Sequence, residues 1–279
     1  MNIDAVLHDL IETVRAASEV TQAHFARFRE IDIGVKGPGD FVSDADLESE
    51  TLIRERLLSR YPGFSLSGEE FAPVEGADPD HRFLVDPIDG TTNFLNGQHY
   101  TITISLRCAG ETLCGVVYDP VADEMFTAVK GGGAFLNGER LQVSSSTEVR
   151  LMCIGTGLPT PNLSLHPGAY QRLGAIRAPI GAVRVPGSAA LACAMVACGR
   201  LTGYFEETGF TDTAAGLLAV EEAGGVVTDW WGRGPTVYER TGALLVANRS
   251  THAFLLEQLK DVPVKNPDGG GEETPVSAR

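Results

Sequence analysis

A short apolar run, Phe83-Leu84-Val85, leads directly into Asp86-Pro87-Ile88-Asp89-Gly90-Thr91-Thr92-Asn93-Phe94. The apolar run reads as a buried strand, so two carboxylates three residues apart emerge where that strand ends. Carboxylates there are badly placed for a core. Pro87 fixes a turn, Gly90 lets the backbone bend sharply, and Thr91-Thr92-Asn93 offers short polar side chains where a helix can begin. Two hard oxygen ligands thus stand beside a helix N-terminus whose free N–H groups favour an anion. That combination suits a divalent cation next to a phosphate.

Bulk chemistry narrows what such a site can serve. With 279 residues the chain can hold one large domain or two closely packed halves, with ample material for a core. A formal net charge of −15 argues against a nucleic-acid backbone or an anionic membrane surface as the main partner. An acidic protein that handles phosphate needs metal ions to reverse the local field. The five cysteines, Cys108, Cys114, Cys153, Cys193 and Cys198, show no CxxC pair and no His–Cys spacing suited to zinc, and read as reduced buried thiols. Asp4, Asp9 and Glu12 interrupt the N-terminal apolar run, which therefore does not read as a secretory signal. No stretch of about 20 apolar residues is available to span a bilayer. The expectation is a soluble, cytoplasmic protein.

Along the chain, Ala5, Leu7, Leu10, Ile11, Val14, Ala17, Val20 and Phe25 predict an amphipathic helix from about Ile3 to Phe28. A glycine-rich turn, Gly34 to Asp40, precedes Phe41-Val42-Ser43-Asp44-Ala45-Asp46 and a second helix running to about Arg60. Ser43 suits its N-cap, and Asp46 stands where a capping box wants an acid. Phe64 and Leu66 alternate in a short strand that ends on Gly68-Glu69-Glu70, and the Pro- and Asp-rich run from Ala72 to Asp80 is an exposed loop. From Thr101 to Leu136 the pattern is an antiparallel meander, with turns at Ala109-Gly110-Glu111 and Asn137-Gly138. Gly131-Gly132-Gly133 precedes a strand and lacks the lysine and hydroxyl of a P-loop. The second half alternates strands with helices from about His166, Gly187-Ser188-Ala189-Ala190 and Asp212. A folded domain is expected over residues 1–262 and a disordered tail over 263–279, where Gly, Pro and Glu dominate.

Each acid has an ordinary reading when taken alone. Asp46 and Asp212 can simply cap helices, and Glu69-Glu70 can be solvated surface. Together, Asp46, Glu69, Asp86, Asp89 and Asp212 all stand at the edges of regular elements, and the alternating layout lets those edges converge in one cleft. Five acids with no evident cationic partner repel one another. All-oxygen ligation points to Mg²⁺ or Mn²⁺ rather than Zn²⁺.

The ordered set Gly68-Glu69-Glu70, Asp86 to Phe94, and Asp212-Thr213-Ala214-Ala215-Gly216 followed by Glu221-Glu222-Ala223-Gly224-Gly225 resembles the signatures of the inositol monophosphatase family. The resemblance runs from Lys36 to about Ala247. It implies an α+β fold, a layered αβαβα sandwich of the sugar-phosphatase type. It also implies a Mg²⁺-dependent, lithium-sensitive phosphomonoesterase that forms a homodimer. By motif, Glu69, Asp86 and the carbonyl of Ile88 would hold one ion, and Asp86, Asp89 and Asp212 a second, with Glu69 reaching a weaker third. Thr91, paired with Asp46, would help orient the attacking water, and the N–H groups of Gly90 and Thr91 would receive the phosphate.

Departures from the family pattern touch substrate more than reaction. Thr211 replaces the tryptophan that usually precedes the aspartate matching Asp212. The glutamate that usually lies seven residues before that aspartate would fall on Phe205, so either the loop is one residue shorter or the hydroxyl contact passes to Glu206 or Glu207. Ala192 stands where many bacterial relatives carry an acid. The resulting expectation is hydrolysis of a small phosphorylated polyol or sugar, with inositol 1-phosphate leading. Fructose 1,6-bisphosphate, histidinol phosphate and 3'-phosphoadenosine 5'-phosphate are the alternatives, and a non-catalytic scaffold is the reading from another class.

Overall fold

The apolar periodicity of the N-terminal segment becomes α1 (Ile3–Phe25), which buries Val6, Leu10, Val14 and Ala17 on one face. Asn2 caps it by accepting the N–H groups of Asp4 and Ala5. The helix ends at Phe25 rather than Phe28, which instead opens a short 3-10 turn. The computed structural model describes residues 1–31, 33–37, 40–158, 167–177, 179–234, 239, 242–259, 262, 264–265 and 272–273. Within the expected glycine-rich turn, β1 (Ile33–Gly37) pairs antiparallel with β2 (Asp40–Ser43).

Helix α2 (Asp44–Arg60) follows immediately. Its buried stripe is apolar at Ala45, Ile53 and Leu57 but polar at Asp46, Ser49 and Glu50. A stripe that mixes these types serves the core at one end of the helix and a polar site at the other.

Seven strands form the first sheet in chain order: β3 (Ser65–Ser67), β4 (His81–Asp89), β5 (Thr101–Cys108), β6 (Glu111–Asp119), β7 (Glu124–Val129), β8 (Gly133–Leu136) and β9 (Glu139–Arg140). β3 runs parallel to β4 and the others form the expected antiparallel meander. Between β4 and β5, α3 (Thr91–Leu95) supplies the turn. Glu222 accepts the N–H groups of Gly131 and Gly133 at 2.7 and 2.9 Å, so a carboxylate of the chain itself occupies that glycine turn.

The second sheet has five strands in the order β11-β10-β12-β14-β13: β10 (Cys153–Thr156), β11 (Ala182–Arg184), β12 (Gly203–Glu207), β13 (Val226–Asp229) and β14 (Ala243–Ala247). Its helices are α4 (Pro167–Arg177), α5 (Ala189–Ala197), α6 (Phe210–Glu222) and α7 (Arg249–Leu259). The helix expected from His166 begins at Pro167, and His166 itself lies outside the described residues.

Five layers result. α1 and α2 cover one face of the seven-stranded sheet, α5 and α6 lie between the two sheets, and α4 and α7 pack together on the far side of the five-stranded sheet. This is the expected αβαβα sandwich. The central helices must pass close to a sheet on each side, which explains their small residues. A Cβ on Gly216 would stand 2.6 Å from the Cβ of Cys193, so α5 and α6 can touch only where that side chain is missing.

All five cysteines are free. Cys114 lies opposite Leu106 and Cys108 opposite Glu111, so the hairpin does not bring the two thiols into register. The expected tail lies mostly outside the described residues, which there comprise the paired strands β15 (Val264–Lys265) and β16 (Glu272–Glu273).

Candidate active site

In a regular strand, residues three apart face opposite sides, which would separate Asp86 from Asp89. The ladder between β4 and β5 prevents this. Asp86 pairs with Thr103 and Asp89 with Thr101, so β4 carries one extra residue across that interval. Such a bulge returns the second carboxylate to the side of the first. Pro87, which has no N–H to donate, falls where the ladder is interrupted. The chain then turns at Gly90 (φ 94°) into α3.

Asp86 is buried; its Oδ1 accepts the N–H of Ile88 at 3.0 Å, and its carboxyl is hydrogen-bonded to Glu69. Glu69 arrives from the loop after β3. Asp212 lies in the first turn of α6, two residues inside the helix start at Phe210; Gly209, not Asp212, is the N-cap residue. The Thr103 hydroxyl donates to the Asp212 carbonyl at 3.4 Å and ties α6 to β5.

Asp89 is held from both halves of the molecule. It accepts the hydroxyls of Ser188 and Thr101, the N–H of Ala190 at 2.8 Å and that of Ala189 at 3.3 Å. The free N–H groups at the start of α5 are therefore met by a carboxylate from β4. Ser188, Ala189, Ala190 and Thr101 were not singled out as site residues by sequence reasoning. The signal was present, since Ser188 before a run of small residues marks a helix N-terminus, but its partner lies 99 residues away.

Burial is the largest influence on all these carboxyls. Asp86 is pushed well above the usual carboxylate range by burial and then by Glu69, Asp212 and Asp89. Asp212 is pushed up to about 7 by burial, then by Asp89 and Glu69. Asp89 is raised by burial, against the lowering effect of its bonds from Ser188, Ala190 and Ala189. The charged groups acting most strongly on these three are other carboxylates, and divalent cations are the complement of such a set. Among the described residues, no three acids converge closely enough to form a ready-made metal cluster. The donor chemistry nevertheless fits hard cations, because the set is all oxygen and mutually repulsive.

Asp46 and Thr91 have their own local partners. Asp46, fully buried, accepts both the N–H and the hydroxyl of Ser43 at 2.8 and 2.6 Å, which realises its capping role. The Thr91 hydroxyl donates to the Ile88 carbonyl at 3.2 Å.

Strand alternation separates the two glutamates of β12. Glu206 shares a face with Tyr204, whose hydroxyl donates to it, and Asp89 and Asp212 are among its electrostatic neighbours. Burial pushes Glu206 up to about 7. Glu207 shares a face with Phe205 and stands 3.9 Å from Arg172, whose guanidinium lies 4.0 Å from the Trp230 ring centroid on the far side of the sheet. Ala192 is fully buried in the apolar cluster around α5.

Comparison with known proteins places this geometry in a lineage. The model of the inositol monophosphatase family matches residues 2–263. The chain belongs to the inositol monophosphatase family. It is 37% identical over 264 residues to an inositol-1-monophosphatase of Rhizobium meliloti, covering 94% of this chain and 98% of the relative. It is 38% identical over 261 residues to the Nus factor SuhB of Haemophilus influenzae, covering 92% and 97%. Among solved structures, the extragenic suppressor protein suhB of Bartonella henselae superposes with a TM-score of 0.88 at 36% identity, covering 92% of this chain and 98% of the other. As a member of the inositol monophosphatase family the chain is a phosphomonoesterase hydrolase of a metal-dependent class, generally served by Mg²⁺. No described helix is long and apolar enough to cross a membrane.

Proposed function

We propose that this chain hydrolyses a small phosphorylated polyol or sugar, with inositol 1-phosphate, a myo-inositol monophosphate, as the leading substrate. The observation that carries the proposal is the electrostatic grouping of Glu69, Asp86, Asp89 and Asp212, with Glu206 facing the same group. Glu69, Asp86 and the Ile88 carbonyl are assigned to one Mg²⁺, and Asp86, Asp89 and Asp212 to a second. A weaker third ion at Glu69, and Mn²⁺ in place of Mg²⁺, belong to the same reading. Bound divalent ions would supply the positive charge that activates water and stabilises the phosphoryl oxygens.

The protein's own groups do the rest. Thr91, with Asp46 behind it, orients the attacking water, and the N–H groups of Gly90 and Thr91 bind phosphate oxygens. The water oxygen forms the new bond to phosphorus as the P–O ester bond breaks, and the proton that the water gives up ends on the departing ester oxygen. Glu206 accepts a hydrogen bond from a hydroxyl of the leaving group. Its side of β12 supports this role, whereas Glu207 is directed to Arg172.

The test is phosphate release across inositol 1-phosphate, fructose 1,6-bisphosphate, histidinol phosphate and 3'-phosphoadenosine 5'-phosphate, with Mg²⁺ titrated and lithium added in parallel. Mg²⁺-dependent, lithium-inhibited preference for inositol 1-phosphate is expected; a stronger preference for another member would overturn the substrate. Relatives named Nus factor SuhB raise a second reading, a regulatory scaffold. Retention of every matched acid argues against a purely non-catalytic role. The homodimer and the cytoplasmic location are part of the proposal, and light scattering of the purified protein tests the first.

A further inference from the structure

Glu69 stands on an irregular, exposed stretch, and neither a strand ladder nor a helix fixes its position. The loop that carries it is closed at its base, where Leu66 and Val74 exchange backbone hydrogen bonds at 2.9 and 2.8 Å. Its far side is gripped by α2. Glu50, fully buried, accepts the Glu70 N–H with Oε2 at 2.7 Å and the Arg54 Nε–H with Oε1 at 2.7 Å. Arg54 in turn donates to the carbonyls of Phe71 and Ala72 at 2.9 and 3.1 Å, and its guanidinium lies 5.5 Å from the Phe71 ring centroid. The loop passes so near that a Cβ on Gly68 would stand 2.0 Å from Glu50 Oε1.

We infer that Glu50 is a positioning residue: with Arg54 it locks the Gly68–Ala72 segment onto α2 and so sets where Glu69 meets Asp86. The physical reason is division of labour. A ligand carboxylate on an irregular loop keeps its geometry only if a rigid element holds the backbone on which it rides. α2 is such an element, and Glu50 lies one helical turn beyond Asp46 on the same buried stripe. Each Glu50 oxygen serves a different donor, so neither an amide nor a shorter side chain can replace both bonds.

This inference rests on the reading of Glu69 as a metal ligand. Its test is calorimetric titration of Mn²⁺ into the full, metal-stripped chain, with thermal melting to verify folding. Glu50→Gln keeps the shape but turns an NH₂ towards one of the two donors, and should weaken Mn²⁺ binding by about 10–100-fold. Ile53→Val, in the buried stripe of the same helix but apart from the loop, should leave Mn²⁺ affinity unchanged. Gly68→Ala approaches from the other side, leaving Glu50 unaltered but forcing its carboxylate and the loop apart, and should weaken Mn²⁺ to a similar extent. It also serves if Glu50→Gln fails to fold. Wild-type affinity in either folded variant would overturn the inference alone. A wild-type chain that bound no Mn²⁺ would overturn the metal-site reading with it.

Discussion

Removing a single hydroxyl from Tyr204 should move the pH at which the protein recognises a polyol. Tyr204 is fully buried and donates to the Glu206 carboxylate, and this bond is the main force opposing the burial that pushes Glu206 up to about 7. A hydrogen bond to a charged group contributes about 1.5–3 kcal/mol, which corresponds to about 1–2 pKa units. Tyr204→Phe should therefore raise the Glu206 transition by about 1–2 units. The sign follows from which form is favoured. The hydroxyl stabilises the ionised carboxyl, so without it the proton is held to higher pH. If only ionised Glu206 accepts the substrate hydroxyl, the pH below which KM climbs should rise by about 1–2 units relative to the parent enzyme at the same Mg²⁺ concentration, while kcat at pH 9.5 changes little. The assay is KM and kcat from pH 6 to 9.5 at one saturating Mg²⁺ concentration, because ions bound near Asp89 also lower the Glu206 transition. An unmoved KM profile, or one displaced to lower pH, would refute the placement of Glu206 in substrate recognition.

Three other outcomes test different links. Asp89→Asn should lower kcat by at least about 10²–10³-fold, and near-normal turnover at saturating Mg²⁺ would contradict its assignment. Saturation with Mg²⁺ at 100 times its dissociation constant should stabilise the fold by about 2.7 kcal/mol, raising Tm by several degrees in a melting experiment; chelation should reverse this and abolish phosphate release. Gly216→Val would force a branched side chain into the Cys193 contact, and should cost about 1–3 kcal/mol in chemical denaturation through loss of α5–α6 packing.

Much of the site was legible because its chemistry is compressed into short motifs. The short strand before the acids and the turn at Gly90 are local properties and reappear in the fold. β4, however, continues through Asp86 to Asp89, so Pro87 marks a bulge inside the strand rather than a turn that ends it. Asp46 shows a local reading realised: it caps α2 through Ser43 and lies buried with Ser49 and Glu50 on the polar end of that helix face. Asp212 departed from its local expectation because α6 begins before it, which places its carboxylate in the first turn and leaves the cap position to Gly209.

Composition and motif order determined the class of protein. Composition narrowed the partners, and the ordered motifs, through their resemblance to the inositol monophosphatase family, implied a metal-dependent phosphatase with a layered fold. Only tertiary structure decided which glutamate of β12 faces the site, since alternation assigns sides but packing assigns which side is inward. It alone joined Asp89 to Ser188 across the two halves, and Glu50 to the loop that bears Glu69. These pairs are distant in sequence, and neither partner's own neighbours carry any trace of the other. Their energies come from burying a carboxylate beside donors that the fold brings from elsewhere in the chain, the start of α5 for Asp89 and the loop after β3 for Glu50.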